Sequence, residues 1–144
     1  MRKLILILFI IIITLLAILL NYENILKIFY RQDYSEYVEK YSKENKVDPL
    51  LIYSIIKAES NFDNEAVSSK GAMGLMQLMD ETAKEVATNE LIEYESDKTL
   101  YNPEENIKIG VKYYADLKNI FGNDAIAIAA YNAGMGTVSS WIEE

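Results

Sequence analysis

The sequence predicts an all-α protein: a small helical domain preceded by a single N-terminal transmembrane helix. Three observations carry that prediction. Apolar residues recur at helical spacing behind helix-start signals at Asp48-Pro49 and Asn102-Pro103, no segment alternates as a strand would, and one apolar run fills Leu4–Leu20. At 144 residues the chain has room for one modest domain. We divide it into a membrane anchor at 1–20, a stalk at 21–33 and a domain at 34–144.

Leu4–Leu20 is interrupted only by Thr14. As a helix it spans about 26 Å, near the lower limit for crossing a hydrocarbon core of about 30 Å. Arg2 and Lys3 flank its amino end, which favours that end in the cytoplasm and the remainder outside. The next residues, Asn21-Tyr22-Glu23, offer no small-x-small cleavage site. An uncleaved signal anchor is therefore the first reading and a cleaved signal peptide the second.

Asn21–Arg31 mixes polar and apolar residues and reads as a helical stalk. Tyr34, Tyr37, Val38 and Tyr41 then recur at helical spacing, predicting a helix of about ten residues before Asn45-Lys46-Val47. Their stripe is a packing face first and a stacking platform second.

Asp48 can cap the next helix and Pro49 suits its first position. Ile52, Ile55 and Ile56 share one face, with Ser54 and Lys57 opposite, and Glu59 falls at i+7, i+4 and i+3 from the isoleucines. A carboxyl group on that face has no Lys or Arg one turn away. Desolvation would raise its pKa and leave an acid able to donate a proton near neutral pH. The competing reading places Glu59 at a frayed helix end, turned into water.

Ser60–Gly74 is turn chemistry with two glycines and reads as a loop folding back over this helix. In Leu75-Met76-Gln77-Leu78-Met79, Gln77 needs a hydrogen-bonding partner, either within the protein or on a ligand. Asp80 is expected to cap a helix at Glu81–Thr88, and Asn89–Tyr101 a surface excursion. Asn102-Pro103-Glu104-Glu105 opens a helix with capping-box spacing, carrying Ile107, Val111, Tyr114 and Leu117, with Gly110 permitting close approach and Gly122 ending it. Ala125–Tyr131 is apolar on all sides, which predicts the centre of a bundle. Thr137–Glu144 starts a last amphipathic piece with Val138 and Trp141 as i,i+3 partners.

The chain has neither Cys nor His, which removes disulfides, Ser-His-Asp and Cys-His triads and the commonest metal ligand. The formal charge is −8, and removing Arg2 and Lys3, the only charges of the first twenty residues, leaves −10 on the rest. Such a surface argues against nucleic acid as a partner. A neutral or weakly charged polymer is easier to accommodate.

Five stretches in register, Glu59-Ser60, Ala66-Val67-Ser68, Gly71–Met79, Asn102–Ile107 and Ala129–Gly134, resemble the successive motifs of the soluble lytic transglycosylase (SLT) family. The resemblance runs from about Tyr34 to the last residue. It implies a lysozyme-like helical fold and cleavage of the β-1,4 bond between N-acetylmuramic acid and N-acetylglucosamine in peptidoglycan. Carried over by position, Glu59 matches the family's sole catalytic carboxylate. Ser68, Gln77 and Met79 match positions lining the saccharide groove, and Tyr131 matches a tyrosine whose hydroxyl lies near the acid. Gly71, Gly74 and Gly134 match backbone positions. Related domains continue into further helix beyond the stretch at Thr137–Glu144, so a domain short at its C-terminus is expected.

The residues suit this chemistry. Asp63, Glu65 and Asp80 sit in cap or turn settings, which leaves one candidate acid where ordinary glycosidases need two carboxylates. A single acid suffices if it protonates the glycosidic oxygen and then deprotonates the sugar's own 6-hydroxyl, giving a 1,6-anhydro ring. Neither metal nor cofactor is expected. The expected partners are peptidoglycan strands and, through the anchor, the cytoplasmic membrane, with the domain on the extracytoplasmic side. The alternatives are a hydrolytic muramidase and a non-catalytic wall-binding or scaffold module.

Overall fold

A computed structural model describes residues 2–22 and 31–143, in two compact units, Met1–Asp33 and Tyr34–Glu144. The first unit holds helix α1, Arg2–Leu20, 19 residues with a mean hydropathy of 3.2 and none of them buried by protein. Its length is about 28 Å, enough to cross a bilayer core with slight mismatch. The lone hydroxyl, on Thr14, donates to the Ile10 carbonyl at 2.8 Å and so needs no external partner. Residues 23–30 of the expected helical stalk lie outside the described residues.

The second unit is built from α2 (Ser35–Asn45), α3 (Pro49–Glu59), α4 (Asp80–Asn89), α5 (Asp97–Tyr101), α6 (Pro103–Phe121), α7 (Asp124–Ala133) and α8 (Met135–Glu143). Among the described residues there is no strand; two isolated antiparallel bridges, Val67 to Met73 and Met73 to Leu78, lie between α3 and α4. The helix starts are set locally. Asp48 accepts from Leu50 N at 2.9 Å, Asn102 from the amides of Glu104 and Glu105, and Asn123 from those of Ala125 and Ile126. The stops are equally local, with Lys46 and Gly122 in the left-handed region after α2 and α6.

The tyrosine stripe of α2 is a packing face. Val38 and Tyr41 are buried, and the Tyr41 hydroxyl donates to Glu104 at 2.8 Å, tying α2 to the start of α6. Tyr34 stands just outside the helix at φ 62.

The centre of the domain is α6, which packs against α2, α4, α5 and α7. Ile107, Ile109, Val111 and Tyr114 have no exposed surface. The Ala-rich α7, expected at the centre, instead buries only Ala127 and Ala130. Its small side chains let it approach α6 on one face, while Ile126, Ile128 and Tyr131 stay partly covered.

Three other local expectations change. Asp80 is the first residue of α4 rather than its cap, because its carboxylate takes Lys84 at 2.5 Å and the Tyr94 hydroxyl at 2.7 Å. The excursion 89–101 ends in the helix α5, anchored by buried Thr99 and Leu100. At α6 only half of a capping box forms: Asn102 accepts as expected, but its own N–H goes to Thr99 O. Glu105 Oε2 is left buried without a hydrogen bond, with Lys108 Nζ at 3.9 Å.

Leu100 is fully buried where α5 meets α6. Leu100→Ala should cost about 3 kcal/mol, as expected when a core leucine is deleted and its cavity only partly collapses, read as a lower urea midpoint with unchanged slope.

Candidate active site

Glu59 is the last residue of α3, one turn beyond a buried face formed by Ile52, Ile55 and Ile56. Ser54 and Lys57 are exposed on the opposite side, as the helical period requires. Glu59 is partly buried and has no hydrogen bond or ion pair among the described residues. Burial alone therefore holds its carboxyl above the ordinary 4.5. The frayed, fully solvated alternative does not describe this side chain.

The chain reverses directly after Glu59. Asn61 and Phe62 both adopt left-handed backbone, and the buried Phe62 ring anchors the turn. The following segment is a compact knot of short-range bonds. Ser68 Oγ accepts from Ala72 N at 3.0 Å and Lys70 N at 3.3 Å, while Gly71 N donates to Ser68 O at 3.0 Å. Met73 and Leu78 exchange both backbone bonds, at 2.9 and 3.0 Å, and Gly74 N donates to Ala66 O at 2.9 Å.

Gln77 closes this knot. Its Nε2 donates to the carbonyls of Ala66 and Gly74, both at 3.0 Å, so the amide nitrogen has a structural partner. Its Oε1 keeps no partner among the described residues and remains able to accept from a ligand. Met79, two residues on, is 45% exposed and free to contact one.

Tyr131 reaches this region from α7, and its hydroxyl donates to the Met76 carbonyl at 2.7 Å. The ring is partly exposed but the hydroxyl is enclosed. Burial first, and then the charge of Glu59, push that hydroxyl well above its ordinary 10. The same field places Glu59 and Tyr131 within electrostatic reach of each other. Tyr131 bonds to the carbonyl of Met76, the residue before Gln77, so Gln77 and Tyr131 belong to one region. Ser68 and Met79 belong to the same knot or border it, Ser68 holding its turn.

Two residues of this site were not singled out in the sequence, although Asn106 lies within one of the five motif stretches. Tyr113 of α6 lies against Tyr131 with ring centroids 5.3 Å apart and planes tilted by 46°. Its neighbour Tyr114 continues the apolar stripe of α6, which disguises Tyr113 as an ordinary flank. Asn106 has no exposed surface and holds Met76 N at 2.9 Å through Oδ1. A buried amide is visible from spacing only if the apolar stripe is read as interrupted there, and Ile107 beside it hides the interruption.

A surface depression of about 300 Å³ lined by Glu93, Glu95, Lys98, Thr99, Asn102 and Glu105 shares no residue with this site. Among the described residues no three carboxylates converge as a metal site. The chemistry on offer is that of one partly desolvated acid without a partner among the described residues.

Comparison with known proteins places the chain among similar sequences and folds. The soluble lytic murein transglycosylase of Escherichia coli K12 is 35% identical over 111 residues, covering 76% of this chain and 17% of that protein. Membrane-bound lytic murein transglycosylase C of Actinobacillus pleuropneumoniae is 33% identical over 117 residues, covering 74% and 32%. Among solved structures, the lytic transglycosylase Slt of Pseudomonas aeruginosa, an inactive Glu→Gln mutant, matches with a TM-score of 0.76 at 34% identity, over 80% of this chain and 19% of that one. The 70-kDa soluble lytic transglycosylase of Escherichia coli matches with a TM-score of 0.75 at 34% identity, over 79% and 19%. The chain thus spans between about a sixth and a third of the length of these relatives. Residues 36–144 match the family model described as the transglycosylase SLT domain; with the helical fold and the acid that ends α3, the chain belongs to the SLT transglycosylase family.

Proposed function

We propose that the protein is a membrane-anchored lytic transglycosylase that cleaves the β-1,4 bond between N-acetylmuramic acid and N-acetylglucosamine and releases a 1,6-anhydromuramic product. The observation that carries this reading is Glu59: partly buried, without a partner, and held above its ordinary value by desolvation alone. An acid in that state is protonated at higher pH than an exposed glutamate and can give its proton to the glycosidic oxygen as the C1–O bond breaks. The resulting carboxylate then takes the proton of the muramic 6-hydroxyl as that oxygen bonds to C1. No water is consumed. In this proposal the substrate's own N-acetyl group stabilises the charge developing at C1, as in substrate-assisted glycosidases.

Ser68, Gln77, Met79 and Tyr131 are the proposed saccharide contacts. Gln77 Oε1 accepts from substrate and Met79 supplies apolar surface, while Ser68 and Tyr131 shape the wall. The likeness to a glutamate-to-glutamine mutant named as inactive supports assigning the chemistry to one carboxyl group. Helix α1 is proposed to cross the cytoplasmic membrane once, with Arg2 and Lys3 inside and the domain facing the wall.

Incubating the full chain in detergent with purified peptidoglycan should release muropeptides ending in 1,6-anhydromuramic acid, identified by mass spectrometry. Reducing ends in their place would make it a hydrolytic muramidase. Retention on insoluble peptidoglycan without any release would make it a binding module.

A further inference from the structure

Met79, a proposed saccharide contact, carries a flexible thioether side chain that is 45% exposed. Its place therefore depends on the backbone to either side. On one side, Leu78 is fixed by the two backbone bonds it exchanges with Met73. On the other, Asp80 opens α4, and its carboxylate takes Lys84 Nζ at 2.5 Å and the Tyr94 hydroxyl at 2.7 Å. The Lys84 pair joins two solvent-accessible side chains one helical turn apart and holds little. The Tyr94 bond is a charge-assisted one from a partly buried donor, and it spans fourteen residues of chain.

Tyr94 can hold Asp80 because its own segment is tied down. Ile92 and Tyr94 pack against the core, while Leu91, Glu93 and Glu95 between and beside them face solvent. Ile92 N donates to Ala87 O at 2.8 Å, Glu90 pairs with Lys112 of α6 at 3.1 Å, and Glu95 N donates to Thr99 Oγ1 at 2.9 Å. The excursion after α4 is thus a strap, and Tyr94 is where it closes on the start of the same helix.

We propose that Asp80 and Tyr94 are positioning residues for the Met79 wall of the saccharide groove, and that their bond sets substrate affinity rather than the rate of bond cleavage. A side chain whose backbone is already ordered loses less freedom when a sugar ring immobilises it, so the clasp lowers KM. Glu59 lies on α3, and none of these bonds involves it. An interaction made equally in the bound substrate and the transition state moves KM and leaves kcat alone. The inference rests on the proposed transglycosylase reading, because it takes Met79 to touch the glycan.

The test follows total muropeptide release by the full chain in detergent against peptidoglycan concentration, whichever end group appears. Tyr94→Phe keeps the ring and removes the hydroxyl. It should raise apparent KM about 3–10-fold, the effect of ordering one side chain on binding, with kcat within about twofold of wild type. Asp80→Ala should do the same, and the double variant no more than either. Asp80→Asn should stay near the wild-type KM, because either end of the amide can pair with the Tyr94 hydroxyl. In a Met79→Ala background, Tyr94→Phe should add nothing further. Tyr41→Phe removes a comparable tyrosine–carboxylate bond, 2.8 Å to Glu104, and should leave KM unchanged. An unchanged KM in Tyr94→Phe, a loss confined to kcat, or a further rise in the Met79→Ala background would overturn the inference while leaving the proposed function standing. No release by the wild type would overturn the proposed function and, with it, the role given to the pair.

A readout that needs no substrate is hydrogen exchange at the Ala83 amide, which donates to Met79 O at 2.9 Å and so reports on the turn that carries Met79. Tyr94→Phe should speed it several-fold, and Tyr41→Phe should not. Equal exchange in wild type and Tyr94→Phe would also overturn the inference.

Discussion

Glu59→Gln is expected to abolish muropeptide release, by about 10²–10⁴-fold, the range a positioned general acid contributes. Glutamine keeps the shape of the side chain and removes the transferable proton. Stability should move the other way. Burial raises the folded-state pKa of Glu59 above 4.5, so its stabilising contribution is fully present below the unfolded value and is lost as pH rises through the folded one. Above that point the wild type carries the cost of a partly desolvated carboxylate, which the amide does not. At pH 8 the variant's Tm should therefore equal or exceed that of the wild type, with the difference shrinking toward pH 4. Activity of the wild type should fall on the alkaline side as Glu59 ionises. A variant that retains turnover, or one that melts well below wild type at pH 8, would refute the assignment of Glu59 as a buried catalytic acid.

Gly74→Ala is expected to be the most damaging single-methyl change in the active-site segment. Gly74 sits at φ +76, and a Cβ there would overlap both the Leu100 carbonyl and Asn106 Nδ2. Neither can move without breaking the bonds that hold Met76. Left-handed strain and overpacking together should cost about 3 kcal/mol. Gly71→Ala provides the contrast. Gly71 has φ +84 but nothing within 4 Å of an added Cβ, so only the backbone term of about 1 kcal/mol remains. Urea denaturation of the two variants separates the contributions, and equal midpoints would show that the contact between Gly74 and Asn106 is not tight. Gly74→Ala should also reduce activity beyond its loss of folded protein, because the displaced groups lead to Tyr131.

Much of the helical domain was legible because its signals are short-range. Asp48, Asn102 and the proline after each mark helix starts through bonds made two or three residues away. The isoleucine face of α3 and the stripe of α6 follow from a 3.6-residue period, and the same period pointed Glu59 inward. Asp80 shows where this logic fails. A cap was its nearest local use, but a tyrosine fourteen residues away was available and took the carboxylate. The place of α7 failed for a related reason. An all-apolar helix tells how little it minds burial, not how many neighbours it will have.

The sequence by itself determined the helical class, the apolar N-terminal helix, the acid at the end of α3 and the family to which the five motifs point. Only the tertiary structure decided what surrounds that acid. The bonds from Asn106 to Met76 and from Tyr131 to Met76 join residues 30 and 55 positions apart. No periodicity reaches across such distances, because a side chain's partner is then chosen by how whole helices pack rather than by its neighbours in the chain.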